Sequence, residues 1–191
     1  MEQTSTPGLV TAVAPIAAEI EDFDEVVRVY WPRVFRFALA SLRDYDAAQS
    51  VAQDCFYRAH KHRATFRGDS SLNTWLMQIA VNLVRDHARS RRLQFWRRSE
   101  ALDPAARWTP DARSSPEAEA SVRQKVQAVW RAARKLSEKQ QTVFLLRFVE
   151  DMDLLEIAAA TGMKEGTVKT HLFRALAAIR EQLGDKNETP V

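Results

Sequence analysis

Cysteine and long apolar runs are almost absent from this chain of 191 residues. Its single cysteine, Cys55, excludes an intrachain disulfide and suits a reducing compartment. No stretch of about 18 apolar residues is available to cross a bilayer, and the N-terminus lacks the basic start of a signal peptide. We therefore expect a cytoplasmic protein without membrane insertion.

Strand patterns and common catalytic motifs are missing as well. No segment alternates polar and apolar residues, and there is no internal repeat. A Gly-rich phosphate loop, a nucleophile elbow and a His-Glu-x-x-His run are all absent. An enzyme hypothesis would depend on His60, His62 and His87, but histidines two positions apart on a helix cannot share a metal. We predict no enzyme activity, no metal site and no cofactor.

Basic residues are present in excess and are unevenly spread. Hydrophobic residues make up 46% and charged residues 28% of the chain, so a core can form, and the net charge is +3 with a pI of about 9.2. Six arginines lie between Arg85 and Arg98, opposed nearby only by Asp86 and Glu100. This cluster indicates either a polyanionic partner or a solvated helix end.

The N-terminal half shows helical spacing after a segment without large side chains. Residues 1–20 are predicted to be a disordered tail. Apolar residues recur at helical intervals from Phe23, with Asp22 as a cap, and Pro32 is expected to kink or split this first helix. A second helix should follow Asp44, and a third should end near Arg92.

A break in composition separates a second helical domain. Residues 94–116 contain three prolines that follow Asp, Thr and Ser, which predicts a flexible linker. Helical periodicity resumes over 117–184, before a short tail at 185–191. The predicted fold is all-α, with two small helical domains at 21–93 and 117–184.

The most informative motif lies in the second domain. Ala158 precedes Gly162 by four residues, and Val168 follows it by six, which is the spacing of a helix-turn-helix. The alanine lets two helices approach, the glycine takes the left-handed turn, and the valine anchors the second helix. The second helix carries cations and short hydrogen-bond donors that suit DNA contacts. A helical hairpin with a solvated basic face would have the same pattern. The predicted DNA-binding residues are Lys164, Thr167, Lys169, Thr170, His171, Phe173 and Arg174.

Together with residues 66–82 and 48–56, this motif resembles sigma factors of the extracytoplasmic-function (ECF) group. The resemblance implies that 21–93 is sigma region 2, which binds core polymerase and the −10 element, and that 117–184 is region 4, which binds the −35 element. The implied partners are core RNA polymerase, through its β′ clamp helices and β subunit, promoter DNA and an anti-sigma factor.

Site residues are carried over by position from that resemblance. The clamp surface would comprise Asp46, Gln49, Gln53, Asp54 and Arg58, although Gln49 and Ser50 stand where the family usually has an acidic pair. The −10 strand would be held by Phe66, Arg67, Ser70, Ser71, Asn82, Arg85 and Arg89. Trp75 is interpreted as a core residue and not as a wedge that opens the duplex.

Two further points stay open at this stage. His171 stands where relatives often have arginine, so it should attract phosphate less. Phe95, Trp96 and Trp108 would dock on polymerase or pack on the first domain.

Two rival functions share part of these features. A response-regulator-like activator would share the helix-turn-helix but leave residues 22–92 unexplained. A helical adaptor would explain the apolar faces but not the basic surface.

Overall fold

A computed structural model describes residues 22–97 and 116–184 of the chain. All regular structure in these two stretches is helical, which confirms the predicted fold class. A 3₁₀ turn, Arg63–Thr65, follows the second helix. The α-helices are α1 Phe23–Leu42, α2 Tyr45–His62, α3 Leu72–Arg97, α4 Pro116–Ala133, α5 Glu138–Phe148, α6 Leu154–Thr161 and α7 Glu165–Leu183.

Short polar side chains start several of these helices. The Asp22 carboxylate accepts a hydrogen bond from the Glu25 N–H at 3.2 Å, as predicted, and Asp44 accepts one from Ala47 at 3.0 Å. At α6, Asp153 and Glu156 form a reciprocal capping box. Each cap satisfies backbone donors that the first turn leaves free, so these residues fix where the helices begin.

Two helices run further than their sequence signals suggest. Pro32 does not split α1, which is continuous from Phe23 to Leu42. Proline removes one backbone donor, and Pro32 lies on the exposed side, where water can solvate the freed carbonyl. α3 continues to Arg97, five residues past the predicted end, because no proline or glycine interrupts that stretch.

The first three helices pack around a shared core. Phe37, Leu76 and Met77 are fully buried there. Cys55 is buried in the same core, where loss of solvation raises the pKa of its thiol to about 12. This position agrees with the sequence interpretation of Cys55 as a small apolar residue.

Helices α4–α7 form the second packed unit. Leu145 and Leu146 from α5, Ile157 from α6 and Val168 from α7 are all completely buried. Ala175 and Ile179 continue the buried stripe of α7 at helical spacing, as the sequence pattern predicts. The exposed face of α7 is therefore set by which side of this helix is buried.

The two units also pack on each other. α1 lies against α5, and α3 lies against α6. The buried residues of both units belong to one continuous hydrophobic cluster. The Arg43 guanidinium adds a hydrogen bond from the end of α1 to the Arg134 carbonyl at 3.2 Å. Among residues 22–97 and 116–184, no helix is long and apolar enough to span a membrane.

Candidate nucleic-acid interface

The turn between α6 and α7 has the geometry of a helix-turn-helix. Gly162 ends α6 in the left-handed conformation, with φ 70°, which residues carrying a Cβ rarely adopt. Ala158 packs against the core on one side of the turn, and Val168 is fully buried on the other. The three residues thus have the roles that their spacing predicts.

One face of α7 is exposed to solvent. Thr167, Lys169, Thr170, Phe173 and Arg174 are all exposed, opposite the buried stripe. Lys164 is exposed just before the first turn. Phe173 leaves 68% of its surface exposed. This face combines cations, two hydroxyls and an apolar ring.

Local contacts orient two of these side chains. The Lys169 ammonium lies 2.6 Å from a Glu165 carboxylate oxygen one turn earlier. The Thr170 hydroxyl donates a hydrogen bond to the Gly166 carbonyl at 2.8 Å, so its oxygen remains free to accept. Lys169 would exchange its exposed partner for a phosphate at little cost, because an exposed i,i+4 pair contributes only about 0.3–0.5 kcal/mol.

His171 is placed differently from its neighbours. It is half-buried at the edge of the apolar stripe, and its Nδ1 atom is buried without a hydrogen-bond partner. Contact with DNA would therefore use the other ring nitrogen, Nε2. The helical repeat explains this position, since His171 lies three residues after Val168 and four before Ala175, both of which are buried.

A second exposed surface lies along α2. All five residues predicted for the clamp contact are exposed: Asp46, Gln49, Gln53, Asp54 and Arg58. Tyr57 lies among them with 69% of its surface exposed, and the sequence interpretation missed it. Tyrosine is enriched at protein interfaces, so Tyr57 is a further candidate for this surface.

The predicted −10 residues divide into a loop and a helix face. In the loop, the Phe66 ring packs on Trp75, with ring centroids 5.0 Å apart, and Arg67 is exposed. Ser70 is half-buried. Asn82 and Arg89 are exposed on α3. Trp75 packs partly buried against the core, as interpreted from the sequence.

Ser71 and Arg85 already have contacts within the protein. The Ser71 hydroxyl accepts a hydrogen bond from the Thr74 N–H at 3.1 Å and so caps α3. Arg85 Nε lies 4.0 Å from a Glu138 carboxylate oxygen of α5. Both residues therefore differ from Asn82 and Arg89, because a DNA strand would compete with internal partners for them.

Comparison with known families matches both units of the chain. The family described as sigma-70 region 2 matches residues 26–94, and sigma-70 region 4 matches residues 126–179. The RNA polymerase sigma-H factor of Pseudomonas aeruginosa is 32% identical over 174 residues, covering 84% of this chain and 86% of that protein. The chain belongs to the ECF group of the sigma-70 family.

A further relative supports this family assignment, and two solved structures share the fold. The ECF sigma factor SigW of Bacillus subtilis is 27% identical and covers 85% of this chain and 89% of its own length. The fold resembles RpoE of Bartonella quintana, solved with the anti-sigma factor NepR, with a TM-score of 0.72, 22% identity and coverage of 87% and 99%. It also resembles CnrH, solved with the cytosolic domain of CnrY, with a TM-score of 0.64, 20% identity and coverage of 90% and 97%.

Family membership confirms two predictions made from the sequence. The resemblance to ECF sigma factors is correct, and the sigma factor is not an enzyme. His60 and His62 are exposed on α2, and His87 lies on α3. Among the residues that the structure describes, no group of three His, Cys, Asp or Glu side chains is placed to hold a metal ion.

Several predicted features fall outside the described part of the chain. The tails at 1–20 and 185–191 and most of the linker lie there, as does Trp108. Phe95 and Trp96 lie on the last turns of α3, where only the backbone is described. The alternatives for these three aromatic residues therefore stay predictions.

Proposed function

We propose that this sigma factor binds core RNA polymerase and directs it to promoters by reading two separate DNA elements. Region 4 would read the −35 element in the major groove, and region 2 would capture the −10 element as a single strand. The exposed face of α7 is the observation that supports this proposal. Val168, Ala175 and Ile179 bury the opposite side of the helix, so the side that faces solvent is fixed. An exposed helix after a tight turn is the element that enters a major groove.

The side chains on that face divide the work at the −35 element. Lys169 and Arg174 are exposed cations that suit phosphate oxygens or the acceptors of guanine. The Thr170 hydroxyl can accept from a base edge, and the exposed Phe173 ring suits the methyl group of thymine. Lys164 and Thr167, near the N-terminal end of α7, suit phosphate contacts that set the position of the helix.

The −10 strand would lie along the exposed side of α3. The Asn82 amide both donates and accepts hydrogen bonds, so it can pair with the edge of an unpaired base. Arg89 is exposed two turns further along and suits the backbone phosphates. Phe66 and Arg67 border the strand at the loop. Because Trp75 is partly buried in the core, base capture and not a tryptophan wedge would hold the melted strand.

Two surfaces are available for core polymerase. The exposed face of α2, with Asp54, Arg58 and Tyr57, would bind the β′ clamp helices. Region 4 exposes Phe148 and Leu155, and Leu155 lines a groove together with Leu154 and Leu172. These apolar side chains would face the β subunit.

Domain limits, location and regulation follow from the same proposal. Residues 21–93 would act as region 2 and 117–184 as region 4. The predicted linker 94–116 overlaps the last turn of α3, which ends at Arg97, and the first residue of α4, Pro116, so the connection would be formed by the residues between these two helices. The protein would act in the cytoplasm, where polymerase and promoters are. RpoE of Bartonella quintana, which shares the fold, was solved with the anti-sigma factor NepR, and we propose that this chain also has such a partner.

Run-off transcription from a randomised promoter library tests the proposed function. Core polymerase with the full chain should enrich templates that share two short sequence blocks at a fixed spacing. Core polymerase alone should enrich neither block. Enrichment of a single block, or of none, would contradict two-element recognition.

Replacing Asn82 by alanine should weaken recognition at the −10 element. A bidentate amide contact to a base contributes about 1–3 kcal/mol, so transcription should fall by about 10-fold or more. The loss should be largest for the preferred base at one −10 position. Gln127→Ala, which truncates an exposed amide on α4, is the matched control and should leave transcription unchanged. If the Asn82→Ala variant kept the wild-type base preference, Asn82 would not be a contact of the −10 element.

A further inference from the structure

A buried carboxylate lies between the two regions and has no part in the proposed promoter contacts. Glu150 follows α5 and is only 1% exposed. Its carboxylate accepts two hydrogen bonds from the Arg36 guanidinium, at 2.9 and 3.0 Å. Arg33 donates to the Glu150 backbone carbonyl at 3.0 Å and brings its Nε within 3.4 Å of the carboxylate. Both cations come from α1 of region 2.

The buried Glu150 carboxylate is stabilised in its charged form only while both arginines are in contact with it. Burial raises the pKa of Glu150, and Arg36 and Arg33 oppose that shift. A buried acid therefore depends on two cations from another region, whereas the two arginines remain 42% and 37% exposed. If the regions separate, water can solvate all three groups. The cluster thus favours a contact that opens reversibly.

Other polar contacts join the same two regions. A Glu156 carboxylate oxygen of α6 accepts hydrogen bonds from the Thr74 hydroxyl at 3.3 Å and the Ser71 hydroxyl at 3.5 Å. Glu138 lies 4.0 Å from Arg85. Ser71 and Arg85 belong to the predicted −10 surface, so carboxylates of region 4 lie against groups that a DNA strand would use.

This packing conflicts with reading two distant elements at once. The −10 and −35 positions are separated by roughly 25 base pairs, which is on the order of 85 Å along B-DNA. With α6 against α3, region 4 cannot reach the −35 position while region 2 holds the −10 strand. Promoter recognition therefore requires the two regions to part.

We propose that Glu150, with Arg33 and Arg36, forms a latch that holds the free sigma factor in a closed form, which must open before both promoter elements are read. The second half of this statement rests on the proposed function, whereas the latch itself does not. Because the closed form would not bind both elements, its population lowers the apparent affinity for the promoter complex.

Distance measurements on the full chain test the latch without DNA. Spin labels at Lys61→Cys on α2 and Lys125→Cys on α4 occupy exposed positions in the two regions. Cys55 can stay in place, because its buried thiol, with a pKa of about 12, is not a reactive thiolate at neutral pH. Pulsed electron spin resonance should give one narrow distance distribution for this labelled protein.

Charge reversal on either side should open the latch. The R33E/R36E variant places three carboxylates together, and its changed residues are partly exposed, so region 2 should keep its fold. E150R should act in the same direction, and both variants should give a longer, broader distribution. The triple variant R33E/R36E/E150R restores opposite charges and should recover the narrow distribution. E181R reverses an exposed charge on α7 and is the matched control.

The outcomes separate the latch from the proposed function. A broad distribution in the otherwise unchanged labelled protein, or a narrow one in R33E/R36E, would overturn the latch. The opened R33E/R36E variant should also assemble a promoter complex with core polymerase at severalfold lower concentration. If the distances respond as expected but no variant supports promoter-dependent transcription, the latch stands and the proposed function fails.

Discussion

Replacing Arg174 by glutamate is expected to lower transcription from the selected promoter by about 100-fold. Arg174 is exposed on the face of α7 that we propose to read the −35 element. One lost contact to a base or phosphate costs about 1–3 kcal/mol, and a carboxylate facing the DNA adds repulsion. Run-off transcription with core polymerase, on templates with intact and scrambled −35 elements, measures the effect.

The control and the template pair make this prediction specific. Arg180 is exposed in the last turn of the same helix, away from the turn with Gly162, so Arg180→Glu changes the charge equally and should cost little. The loss in Arg174→Glu should disappear on the scrambled template. An equal loss on both templates would indicate that Arg174 acts elsewhere, and an unchanged rate would remove it from the −35 site.

Replacing Val168 by aspartate should have the second large effect, through stability. Val168 is completely buried where α7 packs on α6. An unpaired charge in such a site costs about 3–5 kcal/mol. Because this is a large part of the stability of a small domain, region 4 should lose its fold and −35-dependent transcription should fall to background.

Denaturant unfolding followed by circular dichroism checks the stability loss directly. Ala177→Asp introduces the same charge on the exposed side of α7 and should change the free energy of unfolding by no more than about 0.5 kcal/mol. Equal effects of the two variants would contradict the assignment of the buried and exposed faces. That result would also undermine the recognition surface, which is defined by the same assignment.

Local sequence signals predicted much of the fold and part of the site. The spacing of Ala158, Gly162 and Val168 predicted the helix-turn-helix, because each residue type has one steric role there. Asp22 and Asp44 predicted helix starts, because capping involves only neighbours in the chain. The same helical repeat that exposes Lys169 and Arg174 places His171 at the edge of the core. The sequence predicted all three as DNA contacts and did not distinguish His171 from the exposed residues.

Contacts between the two regions could not be predicted in this way. Glu150 meets Arg36 across 114 positions of the chain, and no local pattern carries that pairing. Sequence alone indicated two domains and a linker, but not that α1 packs on α5 or α3 on α6. Ser71 was predicted as a DNA contact, and only the structure reveals that its hydroxyl caps α3.

We propose that the chain reads promoters as a subunit of polymerase and not as an independent activator. Gel-shift binding to the selected promoter, with the full chain alone, core polymerase alone and both together, tests it most directly. Only the mixture should give a sequence-specific complex, and mutating either DNA element should weaken it. Tight, sequence-specific binding by the chain alone, unchanged by core polymerase, would contradict this account and favour an activator of the response-regulator type.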